Sequence, residues 1–431
     1  MKSESFDLST LYTDRRQKLM AQMEDGVALI SSSGMAPDPT LFDKNLVYLT
    51  GQTSRDTYLL LAPQGVRAQT WETVRGPEVG RGRIGREILF VRELTEREKL
   101  IDGEGTSYAA VRRASGVDLV LPLSRLNGVL HDNLANQTKL WVNVATVPRL
   151  DKPVTPDLVF INQIRERFFW LEVRNIAPLI HDMRWVKDVY EVGCLRNAFE
   201  VHTAIYEKMM RALKPGVNEK LGEAIWHYEA KANYDPALVG CETFDTAPRH
   251  IIVASGASTT IGHYIENDQV IQDGDLVLLD AGIEFQGYSS DITRTFPANG
   301  VFTPRQRELY AIVLEAQKRA IATMKPGSNQ RDAHEAVYQV WKENGLEAYG
   351  YGTCGHPVGL NIHDANGMTK YDQDKAFEPG VVVVIEPFIA VAEEGIGIRI
   401  EDGVLITEAG CEALAGPPKE IDEVEALCRR D

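Results

Sequence analysis

Asp280 and Asp291 lie in the stretch GDLVLLDAGIEFQGYSSDITRTFP, residues 274–297. The first ends an apolar run, 276–279, and the second sits in an extended segment rich in Ser, Thr, Ile and Phe. Between them, Glu284-Phe285-Gln286-Gly287 reads as a turn closed by glycine. A hairpin centred between Phe285 and Gln286 would set the two carboxylates directly opposite each other, with Cβ atoms roughly 4.5–5.5 Å apart. Bare carboxylates placed that way repel each other and destabilise the strand pair. A compact positive charge would relieve this, and a divalent metal ion or a pair of them is the natural candidate.

The same pattern recurs downstream. Glu386 ends the run VVVVIE and Glu401 lies in IGIRIEDG. A hairpin centred between Glu393 and Glu394, in AEEG, would oppose them in turn. Two such pairs carry four formal negative charges, which two divalent cations would balance. His356, in the glycine-flanked loop CGHPVGL, is the fifth candidate ligand. One imidazole with four carboxylates is a hard, oxygen-rich set that favours Mn²⁺ or Co²⁺ over a structural zinc site, although Zn²⁺ can occupy such sites.

The elements that must position these groups read as a duplication. KPGVNEKLGEAIW (214–226) resembles KPGSNQRDAHEAVY (325–338), and GDLVLLD (274–280) resembles GVVVVIE (380–386). Asp280 and Glu386 are then equivalent, and His263 and His363 hold matching places upstream of the two runs. Two helix–helix–hairpin halves would share a site on their pseudo-twofold axis. Val192, Leu195, Phe199, Ile205, Met209 and Leu213 form a helical stripe, on which His202 is a packed histidine, not a ligand. A later helix has Thr303 as cap, Pro304 at its first position and Gln306 completing a capping box.

The first 172 residues read as a smaller α/β domain and residues 173–431 as a second domain that holds the five candidate ligands, so the chain as a whole is α+β. In the first part a polar helix (12–23) precedes strand candidates GVALISSS, NLVYLTG (45–51) and TYLLLAP (57–63). ILFV, VDLVLPL and KLWVNV then alternate with helical segments. The Arg- and Gly-rich stretch 67–86, with Arg67, Arg75, Arg81, Arg83 and Arg86, reads as an exposed loop or β-ribbon insertion, or as a subunit contact.

Composition bounds the function classes. At 431 residues, 44% hydrophobic and 25% charged, the chain suits a soluble two-domain protein. A net charge of −16 argues against nucleic acid. No apolar run approaches a membrane span. The polar N-terminus makes a cytoplasmic location the expectation. Five scattered cysteines without a CxxC pair suggest reduced thiols.

DAG with Asp280, DITRTF with Asp291, GHPVGL with His356, IEP with Glu386 and RIED with Glu401 resemble the five metal-ligand motifs of the pita-bread metallopeptidases. That family includes aminopeptidase P, prolidase and methionine aminopeptidase. The likeness spans 176 to about 416, and the first 172 residues resemble the N-terminal domain of the proline-specific members. MRWVKDVYEVGCLRNA resembles their linking helix.

The resemblance implies two pseudo-symmetric halves around a curved antiparallel sheet. It implies that Asp280 and Asp291 bind one metal, that His356 completes the other site, and that Asp291, Glu386 and Glu401 are shared. Glu386 is the implied general base beside a metal-bridged hydroxide, His263 and His363 position the scissile peptide and move a proton, and Arg399 braces the site or pairs with substrate carboxylate. The implied activity is Xaa-Pro aminopeptidase. The alternatives are a prolidase restricted to Xaa-Pro dipeptides, or a non-peptidase or binding member of the fold such as creatinase. A proline-containing peptide is the implied partner, and the implied assembly is a homodimer or homotetramer. Two positions depart from the pattern. Gly352 stands where the proline-specific enzymes commonly have histidine, and Ala390 where aminopeptidase P tends to have tyrosine. Each departure implies lower activity or a changed substrate.

Overall fold

A computed structural model of the chain describes residues 7–32, 43–54, 56–68, 83–144, 154, 156–232, 238–239, 251–350, 354–364 and 373–429. The chain forms two compact units that divide after Met183. The architecture is α+β.

The first unit is built on a six-stranded mixed sheet of β1 (Val27–Ser31), β2 (Tyr58–Ala68), β3 (Arg83–Val91), β4 (Leu119–Pro122), β5 (Lys139–Val142) and β6 (Glu172–Asn175), in the order β4-β3-β2-β1-β5-β6. Leu60, Ile88, Phe90 and Leu140 pack in its core against Val129, Leu134 and Ile164 from the covering helices. The segment expected as a strand at 45–51 is instead the helix Lys44–Thr50. Asp43 accepts from the backbone N–H groups of Asn45 and Leu46, and Gly51 closes the helix in the left-handed region at φ 67. That pair of caps satisfies both helix ends and outweighs the β-propensity of Val and Tyr. The ends of the Arg-rich stretch do form a β-ribbon, with Arg67 paired to Ile84 and Ala68 to Arg83. Arg75 and Arg81 lie outside the described residues.

The second unit carries two long hairpins. β7 (Leu238–Val239), β8 (Ile252–Ser255), β9 (Leu276–Phe285) and β10 (Tyr288–Pro297) form one sheet, in which β7, β8 and β10 all pair with β9. Gln286 and Gly287 make the two-residue turn, with φ 53 and 84, the left-handed pair of a type I′ connection. The turn therefore sits one residue later than the sequence suggests. Asp280 faces Thr293, and Asp291 faces Gly282. The two aspartates are diagonal neighbours on one face, not directly opposed. The shift by two in register keeps the side-chain parity and so the shared face.

In the other half, β11 (Val382–Ile385) pairs with β14 (Asp402–Thr407), β15 (Gly410–Ala413) extends that pair, and β12 (Phe388–Val391) pairs with β13 (Ile396–Arg399). Ile385 faces Asp402 and Phe388 faces Arg399, so Glu386 and Glu401 fall opposite each other, as expected. The ladder is interrupted at that point. Glu386 N–H donates to Cys354 O at 2.8 Å, and Glu401 N–H donates to Thr293 O at 3.0 Å. The break thus ties one glutamate to the His356 loop and the other to the Asp291 strand. The helix Pro304–Thr323 starts with the expected capping box of Thr303 and Gln306.

Candidate metal centre

The interrupted ladder and the β9/β10 hairpin converge on one face. Among the described residues, ligand atoms of Asp291, His356 and Glu401 all lie within 4.8 Å of one another. His356 Nε2 is 3.5 Å from Asp291 Oδ2 and 3.7 Å from Glu386 Oε1. Asp280 lies close enough to Asp291 to raise the Asp291 carboxyl further after burial has done so. All five expected ligands are thus brought to one place.

Three features bear on what the group can hold. His356 Nδ1 lies 3.0 Å from Pro357 O, which makes it the N–H donor and turns the Nε2 lone pair towards the carboxylates. Asp291 Oδ1 and Glu401 Oε1 are buried with no hydrogen-bond partner. Burial, then the neighbouring carboxylates, hold the Asp291 and Glu401 carboxyls well above their ordinary range, and burial raises Glu386. The two unpartnered oxygens beside the imidazole lone pair fit a divalent cation. A metal would take the unpartnered oxygens and discharge the repulsion in one step.

Arg399 supplies the positive charge already in place. It donates to Asp280 Oδ2 through Nη2, to Thr293 Oγ1 through Nε at 3.2 Å, and to Gly262 O through Nη1 at 3.1 Å. Of the two roles expected for Arg399, bracing matches these contacts. Its link to Gly262 secures the exposed loop of His263. His263 is near enough to lower the proton affinity of Glu386 and His363. The ring of His363 lies 4.0 Å from that of His356, centroid to centroid. The neighbouring His356, then desolvation, push its pKa down and favour the neutral imidazole.

The sequence reading passed over several supports. Thr293, fully buried, donates to Glu401 Oε2 at 2.7 Å while accepting from Arg399. Its signal was its place in DITRTF, one side-chain repeat along the strand from Asp291. Asp364, next to His363, takes Arg184 Nη2 at 2.5 Å and Lys187 Nζ at 3.0 Å, all three buried. Both cations belong to the MRWVKD segment. His202 is the packed histidine expected, fully buried with Nδ1 3.0 Å from Ser290 Oγ and its pKa pushed down to about 3 by desolvation. Ala390 packs beside Tyr264, Leu278 and Phe388, and Gly352 lies outside the described residues.

Comparison with known proteins agrees with this geometry. Residues 193–408 match the model of metallopeptidase family M24, and residues 12–141 match that of the aminopeptidase P N-terminal domain. A Xaa-Pro aminopeptidase of Haemophilus influenzae is 30% identical over 96% of this chain and 96% of its own. A Xaa-Pro dipeptidase of Pyrococcus furiosus is 34% identical over 61% of this chain and 72% of its own. The structure of aminopeptidase P from Escherichia coli superposes with a TM-score of 0.81 at 27% identity, covering 99% of each chain. Family and donor set together imply divalent metal ions. Among the described residues no helix is long and apolar enough to cross a membrane. The chain belongs to metallopeptidase family M24, in its proline-specific, aminopeptidase P branch, and is a metallo-aminopeptidase.

Proposed function

We propose that the protein removes the residue preceding proline from peptide N-termini, using two divalent ions, Mn²⁺ by preference, held by Asp280, Asp291, His356, Glu386 and Glu401. The observation that carries this is the convergence of the His356 Nε2 lone pair with the unpartnered oxygens of Asp291 and Glu401. When bound, the ions supply an acidified water as nucleophile and a Lewis-acid contact for the scissile carbonyl. The chain's own groups do the rest. Glu386, raised by burial, is the base that takes the proton of the attacking water. His363 and His263, on the rim, orient the scissile peptide and pass that proton to the leaving nitrogen. Arg399 holds Asp280 in its ligating orientation.

Full-length similarity to the Haemophilus aminopeptidase, against 61% coverage by the dipeptidase, favours cleavage of longer peptides. In this reading the N-terminal domain runs to residue 172, the catalytic domain from 173, and the protein assembles as a homo-oligomer. The test is an assay after chelation and Mn²⁺ restoration, comparing Gly-Pro with a longer Xaa-Pro peptide. Cleavage of the longer peptide is expected, and cleavage of the dipeptide alone would overturn the reading.

A further inference from the structure

Each half of the second unit opens its second helix with the same turn. Gly216 and Gly327, at φ 86 and 87, end the KPG triplets. Gly216 N–H donates to Ile271 O at 2.8 Å, and Gly327 N–H donates to Phe377 O at 2.9 Å. The next pair matches too, with Ile271 N–H to Val217 O and Phe377 N–H to Ser328 O. Three residues after each glycine stand Glu219 and Gln330, both almost fully buried.

These two residues face the loops that carry the site histidines. Gln330 Nε2 lies 3.7 Å from Cys354 Sγ, two residues before His356. Glu219 does more. Its Oε1 accepts from Ser255 N–H and Ser255 Oγ, each at 2.7 Å. Its Oε2 accepts from Tyr264 Oη and Gln269 N–H, each at 2.9 Å. Four donors fill the acceptor capacity of one carboxylate. They come from both ends and the middle of the loop 255–269, and Tyr264 is the immediate neighbour of His263.

We infer that Glu219 is a positioning residue for His263, a carboxylate used behind the site to fix a histidine in front of it. The inference rests on the reading of His263 as a group that touches substrate. Asn267 secures the base of the same loop through Ile251 O and Val253 N–H, and Arg399 holds Gly262 O. Glu219 ties down the segment between them through Tyr264. An amide at position 219 would turn its NH₂ towards a backbone N–H that needs an acceptor and loosen one side of the loop.

The test uses the metal-loaded full chain and Glu219→Gln, with Tyr264→Phe as a milder variant should the first fold poorly. Hydrogen exchange of a peptide spanning 256–269 is expected to rise in either variant, while 276–297 stays protected and bound metal per chain stays at the wild-type level. Activity is expected to fall about tenfold in kcat. In a His263→Ala background the same substitution is expected to cost less than about twofold, because the group being positioned is gone. Equal costs in the two backgrounds would overturn the inference. So would unchanged exchange in 256–269, or a loss of protection that spreads to 276–297 with loss of metal, which would mark Glu219 as a general structural residue. Failure of the wild type on Xaa-Pro peptides would sink the functional reading alone, since the exchange result still decides the loop.

Discussion

Arg399 and Asp280 form a buried ion pair at the rear of the carboxylate cluster, with the guanidinium also 5.4 Å over the Phe388 ring. Arg399→Lys keeps the charge but loses the fork that reaches Asp280, Thr293 and Gly262 together. We expect about a tenfold loss in kcat/KM for lysine and a further loss of similar size for alanine. Equal activity of the lysine and wild-type enzymes would show that charge alone suffices.

Asp291 places Oδ2 3.5 Å from His356 Nε2 and leaves Oδ1 with no partner. Asp291→Asn keeps the shape and removes the charge. Elemental analysis after dialysis should show less divalent metal per chain, with activity down at least about a hundredfold. Full metal content with full activity would remove Asp291 from the ligand set.

The three acids with raised pKa predict a pH dependence. Asp291, Glu386 and Glu401 keep protons in the native chelated protein that the unfolded chain has released. The native state binds more protons than the unfolded one, so stability falls as pH climbs from about 4, the ordinary carboxylate value, through the raised values. A divalent ion requires the deprotonated acids and binds more tightly as pH rises. The gap in Tm between loaded and chelated protein should therefore widen from about pH 5 to about pH 8. A gap that stays constant over that interval would contradict the assignment.

The β9/β10 turn offers a check away from the chemistry. Gln286 holds φ 53, which costs a non-glycine residue, and asparagine tolerates that region better. Gln286→Asn should raise stability by about 0.5 kcal/mol, and Gly287→Ala, at φ 84, should lower it by about 1–2 kcal/mol. Denaturant melts measure both. An unchanged alanine variant would mean that the turn relaxes to another type.

How far the sequence carried depended on what kind of signal each residue left. Asp280, Asp291, Glu386 and Glu401 were legible because each closes or occupies a patterned strand, and the second hairpin's register followed from AEEG. The first register was missed by two, because Gly287 was read as closing the turn from outside when it occupies the second of its two left-handed positions. The segment 44–50 is a helix because Asp43, just before the stretch read as a strand, caps its start, and Gly51, the last residue of that stretch, closes it in the left-handed region. Glu219 and Asp364 left no trace, and Thr293 only its place beside Asp291 in DITRTF, since threonine and acids are common and their meaning lies in partners distant in sequence.

The division of donors between two hairpins orders events during synthesis. A nascent chain that has reached residue 300 owns Asp280 and Asp291 but neither His356 nor the glutamates. Only when Glu401 has emerged can its N–H close on Thr293 O and bring the last carboxylate into place. In the proposed ligand set the donors are therefore complete only once residue 401 has been made.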